Sequence, residues 1–180
     1  MKSLIPLALA AFMIPGLLVA QDKRFDSSPV EQFDLSRYLG VWFEIARFDH
    51  SFERGLDNVT AEYLLRDDGK IDVINSGWKD GKYQVAEGKA KQPEPLDDPA
   101  HLKVSFFLFF YSDYNVMMLD YNYQIALVGS KSPGYLWILS RTPAVSTDVL
   151  DAVLKEASDR GYDTTRLIWV DQDMNKSIAL

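Results

Sequence analysis

From Asp34 onward, short runs of alternating apolar and polar residues recur between clusters of turn residues, the pattern of half-buried strands. Val41–Phe48 is the first run, followed by the polar stretch Asp49 to Asn58. Val59–Leu65 ends at Arg66-Asp67-Asp68-Gly69, where Asp-Gly suits the positive-φ positions of a tight hairpin. Ile71–Trp78 runs into a second such turn, Lys79-Asp80-Gly81, and Tyr83–Ala90 returns. The segment from Gln92 to Pro99 holds three prolines and three acids and is a loop. Leu102–Phe110, Tyr114–Tyr121, Tyr123–Gly129 and Tyr135–Arg141 complete eight strands, and Arg166–Val170 is a short ninth. Eight strands joined as hairpins predict an all-β fold, an antiparallel up-and-down barrel, because closure removes the exposed edges.

One helix interrupts this pattern. Ser146 is placed as an N-cap, with Asp148 in the first turn, where the helix dipole favours negative charge. Val149, Leu150, Val153, Leu154 and Ala157 form an apolar stripe at helical spacing, and Arg160-Gly161 ends the helix with a C-cap glycine. The stripe is expected to pack on the outside of the barrel. Strands five to eight are apolar on both faces: Val104/Phe106/Leu108 and Phe107/Phe109, Val116/Met118 and Met117/Leu119, Tyr135/Trp137/Leu139 and Leu136/Ile138. The interior accounts for one face. The other requires the helix, a second subunit or a membrane surface.

Composition narrows the chemistry. With no cysteine and only His50 and His101, disulfides, thiolate metal sites and a multi-histidine centre are unavailable, so no metal and no cofactor are expected. A net charge of −7 argues against nucleic acid and against more than weak or transient docking on anionic lipid. The paired acids Asp67/Asp68 and Asp97/Asp98 lie in turns and loops. His50 and Glu53 resemble an acid–base pair, but no nucleophile stands in a recognisable context, so catalysis is not expected. At the N-terminus, Lys2 precedes an uncharged apolar run from Leu4 to Val19, broken by Pro6 and Pro15 and ending at Ala20. The chain is expected to divide into a secretory signal peptide over residues 1–20, a flexible leader over 21–33, a barrel domain over 34–172 and a polar tail over 173–180. Leu18-Val19-Ala20-Gln21 also has the form of a lipoprotein signal with glutamine where the lipidated cysteine would stand. The expectation is a periplasmic or secreted protein, soluble and without a lipid anchor.

Three motifs make the chain recognisable. Gly40-Val41-Trp42, within Arg37 to Arg47, resembles the Gly-x-Trp first-strand signature of the lipocalins. Arg141, after Tyr135-Leu136-Trp137-Ile138-Leu139-Ser140, is similar to the family's arginine at the end of the last barrel strand. Val116 to Tyr121 resembles its apolar-then-Asp-Tyr motif, here Asp120-Tyr121. The stretches Phe48 to Leu56 and Leu102 to Phe107 resemble the bacterial subgroup, similar to apolipoprotein D, and the likeness spans roughly Phe33 to Val170. The chain departs from its pattern at Leu108-Phe109-Phe110, where a Gly-Pro-like turn is expected.

The resemblance implies a barrel that carries or sequesters a fatty acid or lysophospholipid; the second apolar face of strands five to eight allows a homodimer. It gives Gly40, Trp42 and Arg141 structural roles: a tight bend, a plug for the closed end, and a guanidinium laid across the indole. If Trp42 points inward, period two brings Glu44, Ala46 and Phe48 inward too. A buried Glu44 must then be paired near the floor, or the register must bend. An inward Arg141 likewise brings Leu139, Trp137 and Tyr135 inward. Val104, Phe106 and Val116 complete the expected apolar pocket, while Tyr111 and Tyr114, near a strand end, are candidates to meet a polar head group.

Overall fold

The computed structural model describes residues 25–178, so the expected signal peptide lies outside the described residues. Eight antiparallel strands form the barrel: β1 (Gly40–Arg47), β2 (Asp57–Leu65), β3 (Ile71–Lys79), β4 (Lys82–Lys91), β5 (His101–Phe107), β6 (Phe110–Leu119), β7 (Ile125–Gly129) and β8 (Leu136–Ser140). Their sheet order runs β2 through β8 to β1, and β1 also pairs with β2, which closes the ring. The two-residue β9 (Ile168–Trp169) pairs with the far end of β1 from outside. Three helices accompany the barrel: α1 (Leu35–Tyr38), α2 (Thr147–Asp159) and α3 (Asp173–Ile178).

Two apolar clusters divide the inside of the barrel from its outside. The inner one gathers Trp42, Ala61, Tyr63, Ile71, Val73, Leu102, Val116, Val128 and Leu139 around the wall, with Tyr38 of α1 at one end. The outer one packs Val153 and Ala157 of α2 on Ile45, Met117, Leu127, Leu136 and Ile138. The helix therefore covers the second apolar face of β6, β7 and β8, and each Leu or Ile so buried contributes about 1.5–3 kcal/mol. Ser146 sits at the N-cap of α2 but makes no side-chain cap bond. Gly161, at φ +90°, follows the helix, and the Tyr162 N–H reaches back to the Ala157 carbonyl.

Several boundaries differ from the pattern. The fifth strand was expected to continue through Phe110, yet the chain reverses at Leu108-Phe109, and Phe107 pairs with Phe110 across a tight turn. Turn residues there are apolar, so they blend into the strand on either side. Short α1, inserted before the Gly-x-Trp motif, and α3, within the polar tail, lack an amphipathic period long enough to announce them. Residues 25–33 lie against the barrel: Val30 donates to the Val116 carbonyl and Asp26 to that of Arg160.

β1 carries the decisive irregularity. Its register with β8 slips between Glu44 and Ala46, so Glu44 pairs with Leu139, Ala46 with Ile138 and Arg47 with Trp137. The bulge reverses the inside–outside alternation. Trp42, Glu44 and Arg47 share the inner face, while Ala46 and Phe48 belong to the outer cluster, against the inward placement that period two predicts.

Candidate ligand site in the barrel

The closed end is built first from the Gly-x-Trp motif. The Trp42 ring is fully buried, and its indole N–H donates to the Tyr38 carbonyl at 2.8 Å. The Arg141 guanidinium lies 3.9 Å from the indole centre. Its nitrogens donate to the carbonyls of Val41, Arg37, Tyr38 and Leu39 at 2.7–3.0 Å, and to that of Tyr123 at 3.3 Å. Gly40, at φ +90°, brings the backbone beside this guanidinium; a Cβ there would stand 3.5 Å from Nη1. Asp120 accepts from the backbone N–H groups of Asn122, Gln124 and Ile125, which fixes the β6–β7 turn, and Tyr121 stays largely exposed beside Arg37. These motif residues seal one end of the barrel.

Above the floor runs a chain of phenols. The Tyr114 hydroxyl bonds that of Tyr38 at 2.6 Å and that of Tyr63 at 2.8 Å. Burial pushes the Tyr38 and Tyr114 phenols well above their ordinary range, so all remain neutral at physiological pH. Tyr114 thus lies deep in the barrel rather than at the rim. Tyr111 faces outward, with the Lys91 ammonium 4.7 Å from its ring centre, because it stands three residues from the inward Tyr114 on the same alternating strand.

The inner wall opens toward the other end. Register and alternation put Gln84, Ala86, Gly88 and Ala90 of β4 on the inner face, beside Asn75 and Gly77 of β3. Ala90 is buried, Gly88 half-buried, and Ala86 and Gln84 exposed, so solvent reaches the wall from this end. Phe106 lies over Gly88, where a Cβ would come within 2.7 Å of its ring. Val104, Val116 and Leu139 also lie on the inner wall. In ring order β4 stands across from β8, which contributes Trp137.

The loop between β1 and β2, residues 48–56, folds over this opening. His50 is buried, with its ring 4.9 Å from that of Tyr135, 5.4 Å from Phe52 and 4.5 Å from Trp137. The Trp137 indole N–H donates to Glu53 Oε2 at 3.1 Å. Arg47 donates to Glu44 Oε1 at 2.7 Å and to the carbonyls of Glu53 and Leu56, which pins the loop to the wall. Glu44 is therefore both paired and placed at a register slip. One guanidinium faces two buried carboxylates, so burial and the neighbouring Glu53 push Glu44 up to about 8, and burial raises Glu53 as well. His50 is lowered to about 4 by burial and by Arg47, which keeps the imidazole neutral. Arg47 Nε, Asn75 Oδ1 and His50 Nε2 are buried without a hydrogen-bond partner.

Arg47 and Asn75 have no counterpart among the expected site residues. A single bulge decides that Arg47 points inward, and nothing local in the sequence announces it. Gln84, Ala86, Gly88 and Ala90 carry a legible signal: small side chains at every second position of one strand. Among the described residues, no cluster of three or more acidic, histidine or cysteine side chains is suited to a metal ion.

A barrel plugged by an indole–guanidinium stack at one end, and reachable by solvent along its inner wall at the other, has the shape of a cup with one closed end. The chain belongs to the lipocalin family, and a lipocalin-like domain spans residues 33–172. It is 48% identical over 171 residues to outer membrane lipoprotein Blc of Escherichia coli (strain K12), covering 94% of this chain and 96% of that protein. Apolipoprotein D of Macaca fascicularis is 33% identical over 156 residues, 82% of each chain. Insecticyanin from the tobacco hornworm Manduca sexta superimposes with a TM-score of 0.69 at 27% identity, covering 82% of this chain and 85% of its own. These likenesses place the chain in the bacterial lipocalin subgroup.

Proposed function

We propose that this lipocalin binds a single-chain lipid, a fatty acid or lysophospholipid, in its barrel and carries or sequesters it without bond chemistry. One observation carries the reading: the small inner residues Ala86 and Gly88 line an open-ended wall across the ring from Trp137. An acyl tail placed there leaves water at about 0.8 kcal/mol per buried CH2. Trp137, Leu139, Val104, Phe106 and Val116 serve as the apolar lining in this reading, with Tyr135 at the rim. The carboxylates Glu44 and Glu53 are engaged by Arg47 and Trp137, which supports a binding rather than a catalytic role.

The reading places the protein in the cell envelope, supported by the Blc likeness. The cysteine-free sequence supports an untethered periplasmic or secreted form, which envelope fractionation distinguishes from a membrane-held one. Titration of delipidated protein with oleic acid and with lysophosphatidylethanolamine, read by tryptophan emission, tests the function. A saturable response is expected, and Trp137→Ala lowers affinity about tenfold, roughly 1.4 kcal/mol, with the fold intact. Equal affinity in that variant refutes the pocket.

A further inference from the structure

The hairpin between β5 and β6 carries four consecutive apolar residues beyond Phe106 that no core packing explains. Phe107 is 68% exposed, Leu108 57%, Phe109 81% and Phe110 74%. The first turn residue also contradicts its backbone. Leu108 adopts φ +50°, a conformation that glycine takes freely and a bulky side chain does not, and only Leu108 and Phe109 connect the strands. A hairpin selected for folding would place Gly followed by Asn, Asp or Ser here. Neither core burial nor turn geometry accounts for Leu108 and Phe109, which directs attention to a partner outside the chain.

Charge and position say which partner. In an up-and-down barrel the β1–β2, β3–β4, β5–β6 and β7–β8 connections share one end, here the open one. The hairpins flanking the apolar tip carry Lys79, Lys82 and Lys131, the last 3.4 Å from Asp113, against Asp80, while in the β1–β2 connection Arg54 pairs with Asp49 and Glu53 is buried. The opposite end holds Asp67, Asp68, Glu94, Asp97, Asp98 and Asp120 in its connections against Arg66 and Lys70. An acidic protein therefore presents a locally basic rim around a projecting apolar finger, beside the opening of its cup. A flat anionic bilayer fits that arrangement: the finger enters the acyl region, the lysines meet headgroup phosphates, and the acidic end points away.

We propose that the Phe107–Phe110 hairpin docks the open end of the barrel on an anionic lipid bilayer, so that a lipid passes between membrane and cup without crossing bulk water. The purpose of docking rests on the lipid-binding reading; the docking itself does not.

Flotation of the protein with vesicles of phosphatidylethanolamine and phosphatidylglycerol at 3:1 tests it. Wild type floats with the vesicles and is released at least severalfold by 0.5 M salt. Leu108→Gly/Phe109→Asp supplies the residues such a turn favours, so its melting temperature stays equal or rises, while its vesicle binding falls at least tenfold. Vesicle binding unchanged in that variant, or wild type remaining in the aqueous layer, overturns the proposal. So does concentration-dependent dimerisation of wild type that the same variant abolishes while vesicle binding persists, because the finger then seats on a second copy. Oleic acid titration without vesicles separates the two readings. A variant that binds oleic acid but not vesicles supports docking, and a wild type that binds vesicles but not oleic acid removes the cup's function and leaves docking standing.

Discussion

Replacing Glu44 by Gln isolates the buried charge cluster that pins the loop across the barrel opening. Arg47 offers one positive charge to Glu44 and Glu53, both buried, so ionising both leaves an uncompensated negative charge inside the barrel. Glu44 accordingly rises from its ordinary 4.5 to about 8 in the folded chain. A carboxyl raised on folding keeps its proton in the native state while the unfolded chain loses it. The Glu44 contribution to stability is therefore fully present below about 4.5, declines as pH rises, and levels off above about 8. The slope for one proton is about 1.4 kcal/mol per pH unit, so Glu44 removes about 3 kcal/mol between pH 5 and pH 7, against an opposite slope from His50, lowered to about 4, that wild type and variant share. In Glu44→Gln the amide oxygen still accepts from Arg47, and Glu53 ionises against an undivided guanidinium, which flattens the profile. Urea unfolding followed by tryptophan emission from pH 5 to pH 9 measures this directly. Profiles of wild type and variant that run parallel refute the shared-proton account.

Two further outcomes follow from the same geometry. Arg141→Ala removes a donor from five carbonyls, of which Tyr38 keeps the Trp42 N–H, and uncovers Trp42; it lowers stability by about 3 kcal/mol, roughly 10 °C in Tm by calorimetry, with a smaller effect on lipid affinity. Gly88→Leu fills the inner wall and displaces Phe106, so oleic acid affinity drops about tenfold or more in the fluorescence titration.

Much of the fold was legible because alternation, hairpin turns and helical spacing all agree along the chain. The Gly-x-Trp, Asp-Tyr and terminal arginine motifs meet at one end of the barrel, where each contact depends on a residue type. The open end was harder. Ala46 and Phe48 were assigned inward by period two, and one bulge in β1 placed them under the helix side instead, bringing Arg47 into the barrel. Tyr111 and Tyr114 shared one expected role, yet three residues apart on one strand they alternate to opposite faces, one to the outside and one to the phenol chain. Bulges are set by the fit of whole strands around a closed ring, and no short stretch of sequence encodes that fit. Leu108-Phe109 misled for a different reason: they suit a strand, and their fitness for a surface outside the chain outweighs the turn chemistry they displace.

The central claim is that one lipid occupies one barrel. Native mass spectrometry of delipidated protein mixed with equimolar oleic acid tests it most directly. The account predicts a single adduct per chain, diminished in Trp137→Ala and in Gly88→Leu and retained in Leu108→Gly/Phe109→Asp. No adduct, or an adduct equally abundant in the two barrel variants, contradicts it.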